Sequence, residues 1–448
     1  MSLIFEQFPG NIWGNVSQKT RISEYFIHYL SLLPRHEEPL AVIFESNHID
    51  KDFLIDYSFF YSRCFEDVGK KVIRAHFFYG SVDEVQGGVY RILNEGLSKA
   101  SSEHTILQKN YIGFTTIRPI NSKVIGRTAF IKYPNEDGNH NHRHYPVYVA
   151  VRAHLAGIPF ELETLPYQEQ DTAVAACATT AIWCALPAIR KKFDLGTYYS
   201  PYEITNLAFE SCGGYENRRF PNRGLTLPHI LNVIQKMGFD PILIDAKTIP
   251  NTKFLDEVIV SHIEFGLPIL ACLELKKGSN SDGHLVTIVG YKFKSNSSEL
   301  QELYIHDDQI GFYSKVTFTD STHRLWDNEW ISKYGYSSVC VAALVIPSYH
   351  KIRISYASMY CFMKSMGLDD NCFSISLTEI STIKQKIMSL GLNTFEDSQK
   401  ALIFLTSSSP KYVWCVNVKS TESKALIIYD ATSYHLHAVC TLTNPIIN

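Results

Sequence analysis

This chain of 448 residues lacks an apolar run long enough to cross a membrane, which takes about 20 consecutive apolar residues. Its greasiest stretch, residues 168–189 (QEQDTAVAACATTAIWCALPAI), is interrupted by threonines and by Pro187, and basic residues follow it. The opening, MSLIFEQFPGNIWG, also lacks the basic start and apolar core of a secretory signal. We therefore expect a cytoplasmic protein with no membrane partner.

Strong charge of one sign is lacking too. The formal net charge is -3, and a general nucleic-acid binder needs a basic field to neutralise phosphates, so we predict no nucleic-acid partner. The ten cysteines form no regular framework and contain no C-x-x-C pair. Most lie in apolar runs, as Cys272 does in PILACLEL and Cys340 in SSVCVAAL, which is typical of free thiols in a reducing compartment.

Several catalytic signatures are absent. The sequence contains no H-E-x-x-H, no phosphate-binding G-x-x-x-x-G-K-[ST], no G-x-G-x-x-G after a strand and no G-x-S-x-G elbow. Residues 134–144, PNEDGNHNHRH, form a loop by composition, and His140, His142 and His144 alternate along it. Alternate histidines in a loop are weak evidence for a metal site, so we predict no metal and no cofactor.

What the sequence has is apolar material for large cores, with 45% hydrophobic and 13% aromatic residues, and its length indicates two to four domains. Residues 1–159 alternate apolar strands with helical periodicity, as in PLAVIFES followed by HIDKDFLIDYSFFYSRCFEDVG and KKVIRAHFFYG, which predicts an α/β domain. Residues 160–347 begin with the greasy helix and end in successive strands. Residues 348–448 predict a small α/β domain with a helix at SLTEISTIKQKIMSLG and a hairpin of KYVWCVNV and KALIIYD.

The candidate nucleophile is Cys177, in the middle of the greasy stretch. The polar residues from Gln168 to Asp171 are typical of a loop that leads into a helix, so Cys177 stands near the helix start. A helix N-terminus favours the thiolate, the form in which a cysteine is nucleophilic. Cys184 lies two turns further along the helix, and we interpret it as core packing.

A partner imidazole is offered by SNSDGHLVTIVGYK. We predict that Asp282 and Gly283 form a turn and that His284 opens a strand. The bland interpretation is a histidine at the exposed end of a strand. What argues against it is the next predicted strand, LYIHDDQIG, which ends in acids.

The pairing of these two strands follows from the constant sum of residue numbers in an antiparallel hairpin. If His284 opposes Asp307, then Tyr291 opposes Leu300, and the polar residues 292–299 (KFKSNSSE) are left as the loop. Opposed side chains share a face, so Asp307 is expected to hold the His284 ring. In a regular strand the neighbours of Asp307, His306 and Asp308, point the other way, although a one-residue bulge exchanges them.

With these residues in view, the chain resembles the papain-like cysteine peptidases, and most closely the branch that includes bacterial peptidases removing double-glycine leaders. The resemblance covers residues 160–345 and rests on an ordered set of motifs. These are Gln170, Cys177, RGLTLPHILNVIQKMGF, GLPILACLEL, DGHLVTIVGY and YIHDD. It implies an α+β fold, in which a nucleophile helix packs on an antiparallel sheet in a central domain between the two flanking domains.

The resemblance also implies roles for the residues. Cys177 is the nucleophile, His284 the general base and acid, and Asp307 the group that orients the imidazole, while Gln170 and the backbone N–H of Cys177 bind the oxyanion. Gln170 precedes Cys177 by seven positions where the family has six, so Gln168 competes for that role. Asp308 follows Asp307 where the family often has proline, and it competes as the orienting acid.

The implied activity is that of a thiol hydrolase, a cysteine peptidase cleaving a peptide or isopeptide bond through an acyl-enzyme. Two alternatives stay open: a catalytically inactive scaffold with this fold, and a thiol acyltransferase or deamidase using the same triad. The expected partner is a protein or peptide substrate, and the flanking domains are candidates for binding a further protein. We interpret Trp326 and Trp330, four residues apart in HRLWDNEWI, as helical core packing.

Overall fold

The computed structural model describes residues 3–8, 21–65, 68–120, 123–133, 142–171, 173–210, 220, 224–389, 395–419 and 424–443. The chain is α+β, because it contains both helices and sheets and the sheets are antiparallel. All paired strands within the described ranges run antiparallel. Within the same ranges, no helix has the length and apolar character that a membrane crossing requires. Residues 134–141 of the histidine-containing loop, for which we predict no metal, lie outside the described residues, and His140 is among them.

The N-terminal part contains a five-stranded sheet of order β1-β2-β3-β4-β5. Its strands are β1 (Leu3–Gln7), β2 (Leu40–His48), β3 (Val72–Tyr79), β4 (Tyr111–Ile117) and β5 (Ile125–Phe130). Its helices are α1 (Arg21–Ser31), α2 (Lys51–Phe59), α3 (Val82–Glu95) and α4 (Ser101–Asn110). The prediction of an α/β domain is wrong in its topology, since neighbouring strands run antiparallel.

The reason lies in the connections between these strands. A single helix between two strands typically gives a parallel crossover. Here two helices, α3 and α4, stand between β3 and β4, and α2 is followed by a short 3-10 helix at Tyr61–Arg63 before β3. In each case the next strand begins at the end of the sheet where the previous strand ended, so it runs in the opposite direction, and the same is true of β1 and β2, between which α1 is the one described helix. The alternation of strand and helix patterns was visible in the sequence, but the direction of return was not.

The middle of the chain contains an eight-stranded antiparallel sheet that carries the candidate site. Its elements, with the separate β7–β8 hairpin, are β6 (Arg143–His144), β7 (Val149–Leu155), β8 (Ile158–Thr164), α5 (Cys177–Phe193), α6 (Pro201–Phe209), α7 (Leu227–Lys236), β9 (Asp240–Asp245), α8 (Thr252–Glu264), β10 (Ile269–Lys277), β11 (Asn280–Phe293), β12 (Leu300–Asp307), β13 (Gly311–Phe318), β14 (Leu325–Asp327), α9 (Glu329–Ser332) and β15 (Ser338–Ser348). The order is β10-β11-β12-β13-β14-β15-β9, and β10 also pairs with β15, so strands β10 to β15 close into a ring.

Helix α5 packs against β11 because its side chains on that side are small. Ala178, Ala181, Ala185 and Ala188 recur at helical spacing and are all buried. The close approach is fixed by a hydrogen bond of 2.8 Å from the Thr287 hydroxyl of β11 to the carbonyl oxygen of Ala181. The greasy stretch of the sequence is therefore a buried core helix that begins at a cysteine.

The C-terminal part holds a four-stranded antiparallel sheet of order β16-β17-β18-β19. Its elements are α10 (Tyr356–Ser365), β16 (Phe373–Glu379), α11 (Ile380–Ser389), α12 (Phe395–Thr406), β17 (Tyr412–Lys419), β18 (Lys424–Asp430) and β19 (Ala438–Thr443). The predicted hairpin is confirmed, with β17 paired to β18. The prediction of α/β topology is wrong here too, and the first residues of the predicted helix, SLTE, belong instead to β16.

The boundaries at residues 159 and 347 stay predictions. Strand β8 runs across the first of them and β15 across the second. In addition, the Tyr25 hydroxyl of α1 donates a 2.7 Å hydrogen bond to the carbonyl oxygen of Phe312 in β13. The N-terminal part thus packs directly on the sheet that bears the site.

Candidate active site

The loop that leads to Cys177 is held by one carboxylate, that of Asp171. Its Oδ1 accepts hydrogen bonds from the backbone N–H groups of Ala173, Val174 and Ala175 at 3.0, 2.8 and 2.8 Å. Its Oδ2 accepts one of 2.8 Å from the hydroxyl of Tyr61 in the N-terminal part. The sequence predicts a loop that ends at Asp171 but not this role of its carboxylate, although an aspartate before a helix is a turn signal because it can bond the backbone N–H groups that follow.

Helix α5 begins at Cys177, as predicted, and its start is not closed by a side chain. The N-cap residue is Ala176, which makes no side-chain capping bond. The first backbone N–H groups of a helix have no partner within the helix, so they are available to an anion at this position. The Cys177 side chain is partly exposed beside them.

His284 lies on β11 with its ring buried against the sheet's acids. Nε2 of His284 is 3.0 Å from Oδ1 of Asp307, the last residue of β12. The Cys177 side chain also lies close enough to this ring to raise its pKa. Because Nε2 faces Asp307, Nδ1 is the nitrogen left for the thiol, and the three predicted residues are brought together in the order sulfur, imidazole, carboxylate.

The predicted strand pairing is wrong by two residues near the site and by three at Tyr291, although His284 and Asp307 are in contact as expected. Thr287 pairs with His306 and Tyr291 with Leu303, with a bulge between Ile288 and Gly290. Continuing the ladder past Thr287 places Asp307 diagonally across from His284 rather than directly opposite. A shift of two keeps both side chains on one face of the sheet, within reach of each other.

The predicted turn before His284 is also wrong. Strand β11 begins at Asn280, so Asp282 and Gly283 lie within it, and β10 pairs with β11 as far as Lys277 and Asn280. Gly278, with a φ of 62°, supplies the turn instead. His284 is therefore an interior residue of a long strand, which fixes its backbone more firmly than a strand end does.

The charges around His284 and its burial shift its pKa in opposite directions. Burial by itself lowers the pKa of an imidazole, but the charge and hydrogen bond of Asp307, the contact with Cys177 and the charge of Asp308 together raise the pKa of His284 well above its usual value. The environment therefore favours the imidazolium. An imidazolium beside a sulfur is the partner that a thiolate needs.

Asp307 is fully buried, and it is held by several donors in addition to His284. Trp330 Nε1 donates a 2.8 Å hydrogen bond to Oδ2, and the backbone N–H of Gln309 donates one of 3.0 Å to Oδ1. Burial alone would raise the pKa of this carboxyl, but the charge and hydrogen bond of His284 and these two donors outweigh it and lower the pKa. Asp307 is thus a carboxylate kept ionised by its contacts.

The two tryptophans are both buried, but not as the two sides of one helix. Trp326 lies in β14, and Trp330 is the second residue of the short helix α9. Trp330 also lies edge-on to the His284 ring, with 5.2 Å between ring centroids. Sequence reasoning missed this role; the available signal is that a buried indole N–H requires an acceptor.

Asp308 lies close to the same imidazole, but it lacks the hydrogen-bond donors that hold the carboxylate of Asp307. Its Oδ1 is 3.8 Å from His284 Nε2, yet neither carboxylate oxygen accepts a hydrogen bond from another described residue, and the side chain is only 3% exposed. Burial, together with the charge of Asp307, raises the pKa of Asp308 to about 7 against the opposing charge of His284. The prediction that Asp308 points away from His284 is wrong, because β12 ends at Asp307 and strand alternation stops there.

The other neighbour of Asp307 does point away. The ring of His306 packs between those of Tyr167 and Tyr313, with centroid separations of 5.7 and 4.8 Å. Burial lowers the pKa of His306 to about 3, so this ring is neutral and is not part of the charged cluster.

The two glutamines that compete for the oxyanion differ in position. Gln168 is buried and its amide nitrogen Nε2 has no hydrogen-bond partner among the described residues, whereas Gln170 is partly exposed. The backbone of Gln168 bonds to the thiol of Cys184, which lies two turns into α5. Gln168 thus lies beside the body of the helix, and the chain reaches the helix start only after passing Gln170.

Burial keeps the two other thiols near the site, those of Cys184 and Cys272, in the protonated form. Burial raises the pKa of Cys184, which confirms that it is a core residue rather than a second nucleophile. Cys272 on β10 is close enough for its thiol to be affected by Cys177, but burial comes first among the causes that raise its pKa to about 12. All the cysteines that the structure describes are free thiols, as expected for a reduced protein.

Two comparisons with known proteins, against family models and against curated proteins, find no match. No protein-family model matches the chain. No curated protein is detectably similar to it. The site itself combines a partly exposed thiol at an uncapped helix start, a nearby imidazole whose pKa is raised, and a carboxylate hydrogen-bonded to that imidazole.

Proposed function

We propose that this protein is a thiol hydrolase of the papain-like type, which cleaves a peptide or isopeptide bond through an acyl-enzyme on Cys177. The observation that carries the proposal is the alignment of Cys177, His284 and Asp307, with 3.0 Å between His284 Nε2 and Asp307 Oδ1 and the thiol in contact with the same ring. The helix start adds unpaired N–H groups at the point where negative charge develops. The same order of roles serves nucleophilic catalysis on unrelated folds.

The reaction follows from these positions. The Cys177 thiolate attacks the carbonyl carbon, and the carbonyl oxygen becomes an oxyanion beside the start of α5. His284 gives its Nδ1 proton to the leaving amine as the C–N bond breaks, and then removes a proton from the water that hydrolyses the thioester. Asp307 keeps the ring oriented and balances its charge throughout.

Gln170 is the better candidate for the side-chain donor to the oxyanion. The backbone of Gln168 is held beside Cys184, whereas Gln170 precedes Asp171, whose carboxylate shapes the turn into Cys177. Gln170 is also partly exposed, as a group that meets a substrate must be. The flanking parts of the chain are candidates for binding the substrate protein or a further protein partner.

The test is the rate at which Cys177 reacts with a chloroacetamide probe, followed for each cysteine by mass spectrometry in the metal-free protein. Cys64 and Cys361 are exposed and serve as internal references. We expect Cys177 to react faster than both, and His284→Ala to slow Cys177 by about 10²-fold while leaving the references unchanged. Equal rates at Cys177 in the wild type and in His284→Ala would contradict the proposal and favour an inactive scaffold.

Hydrolysis and transfer are then separated in the cells from which the protein comes. Cleaved termini and new amide or isopeptide bonds are compared by proteomics between the wild type and Cys177→Ala. New protein termini that depend on Cys177 support a peptidase, whereas new conjugates or deamidated glutamines support a transferase or deamidase. Identical samples would contradict both activities.

A further inference from the structure

The site contains more buried negative charge than the proposed thiol chemistry uses. Asp307 and Asp308 are 0% and 3% exposed, and both lie beside the one imidazole of His284. Asp307 is satisfied by Trp330, Gln309 and His284, but Asp308 accepts no hydrogen bond from another described residue. Burying a carboxylate without such partners is unfavourable, so a second cation at this position would stabilise the charged form of Asp308.

The geometry of the three donors is that of a metal site. One ligand atom from each of His284, Asp307 and Asp308 can be chosen so that all lie within 4.8 Å of one another. His284 Nε2 is 3.0 Å from Asp307 Oδ1 and 3.8 Å from Asp308 Oδ1. Donors at Zn²⁺ bond lengths of about 2.0–2.2 Å in a tetrahedral site are separated by roughly 3.4 Å, so small movements bring these atoms into place.

We propose that His284, Asp307 and Asp308 form a binding site for a divalent transition-metal ion, and that Zn²⁺ is the ion that best fits one imidazole nitrogen and two carboxylates. The ion takes the place of the proton on His284 Nε2, which Asp307 otherwise accepts. Trp330, which donates to the other oxygen of Asp307, supports this ligand from outside. Three protein ligands leave a fourth position for water.

Cys177 is not a ligand in this arrangement, because its sulfur does not belong to the group of converging ligand atoms of His284, Asp307 and Asp308. This separates the site from ordinary zinc capture by a reactive thiol. It also gives the ion a regulatory effect, which rests on the function proposed above. A metal-bound His284 cannot be the imidazolium that stabilises the thiolate, so the metal-loaded protein is expected to be inactive and the metal-free protein active.

Binding is tested in the full chain carrying Cys177→Ala, which has no nucleophile, so the result does not depend on thiol catalysis. The protein is stripped with a chelator and dialysed to equilibrium against Zn²⁺, and the bound metal is measured by mass spectrometry. We expect Cys177→Ala to retain one more equivalent of tightly bound Zn²⁺ than Cys177→Ala/Asp308→Asn, with at least about 100-fold weaker binding at this site in the double variant. The exposed neighbour Asp282 is the matched control, and Asp282→Asn should bind as Cys177→Ala does.

A second measurement identifies the ligands directly. With Co²⁺ in place of Zn²⁺, Cys177→Ala should show visible d–d bands without a sulfur-to-cobalt charge-transfer band. The variant Cys177→Ala/Asp308→Cys places a thiolate at the proposed ligand position and should gain that band, which also answers the objection that Asp308→Asn fails to fold. Loss of the tight equivalent in Cys177→Ala, equal binding with and without Asp308, or no sulfur band in the Asp308→Cys variant would each overturn the proposal.

The two proposals fail independently. If the metal does not bind but Cys177 reacts in a His284-dependent way, the thiol function stands and the metal site does not. If the metal binds but Cys177 is unreactive in the metal-free protein, the metal site stands alone.

Discussion

Two buried aspartates in different parts of the molecule differ in the hydrogen-bond donors around them. Asp397 of α12 is fully buried, and its carboxylate accepts hydrogen bonds from the backbone N–H and the hydroxyl of Thr443 at 3.0 and 3.1 Å. Asp308, beside the central sheet, is almost as buried and accepts none from another described residue. A carboxylate buried for structural reasons is paired with donors. The unpaired one lies in the part of the fold that holds the candidate site.

The largest expected effect separates the two glutamines before Cys177. Replacing an oxyanion donor costs about 10² to 10³ in turnover, so we expect Gln170→Ala to slow catalysis by that factor without unfolding the protein. Gln168→Ala is the matched control and should affect stability more than turnover, because Gln168 is the buried one. Once a substrate is known, kcat/KM and thermal melting of both variants measure this, and the reverse result would move the oxyanion site to Gln168.

The next largest effect is expected in the pH dependence of stability, and it comes from the unpaired carboxylate of Asp308. Burial raises the pKa of Asp308 to about 7, whereas the unfolded carboxyl titrates at its ordinary 3.8. Between these pH values the native state holds more protons than the unfolded state, so stability falls as the pH rises through this window. Asp308→Asn cannot ionise, and we expect it to be more stable than the wild type by roughly 4 kcal/mol at pH 8 and by little at pH 4. Urea unfolding in the presence of chelator at both pH values measures the difference.

A smaller effect is expected from removing one donor to Asp307. Trp330→Phe keeps the ring beside His284 but loses the 2.8 Å hydrogen bond to Asp307 Oδ2. A hydrogen bond to a charged group contributes roughly 2 kcal/mol, so the pKa of Asp307 should rise and that of His284 should fall. The titration of His284 by NMR checks this. Trp326→Phe, at a buried tryptophan without that bond, is the control and should leave the titration in place.

The smallest expected effect is on Asp397, where loss of the charge should lower stability, whereas at Asp308 it should raise it. Asp397→Asn retains one oxygen acceptor for Thr443 but loses the charge, and we expect a loss of about 1 kcal/mol at pH 8. At that pH Asp308→Asn should stabilise the protein. If both substitutions destabilise it to the same extent, the distinction between a structural and a functional buried acid does not hold in this protein.

The sequence was informative where the signal was local. The apolar run that follows the polar residues Gln168 to Asp171 predicted a helix that begins near Cys177, and α5 begins at that residue. The order of a cysteine, a histidine in an apolar strand and an acid at the end of the next strand predicted a cluster, and those residues meet. The register of the hairpin failed because β11 continues to Phe293, which pairs with Leu300, whereas the polar composition from Lys292 onward predicted a loop.

The sequence by itself determined which residues could carry chemistry, because a helix start, an apolar strand and a strand end can be recognised from their own neighbours. Only the tertiary structure decided the directions of the strands, the diagonal contact of His284 with Asp307, the donors from Asp171 and Trp330, and the isolation of Asp308. These depend on how distant segments return to one another and on which buried groups find partners. Neither is encoded in a short window of the chain, since packing over many residues sets both.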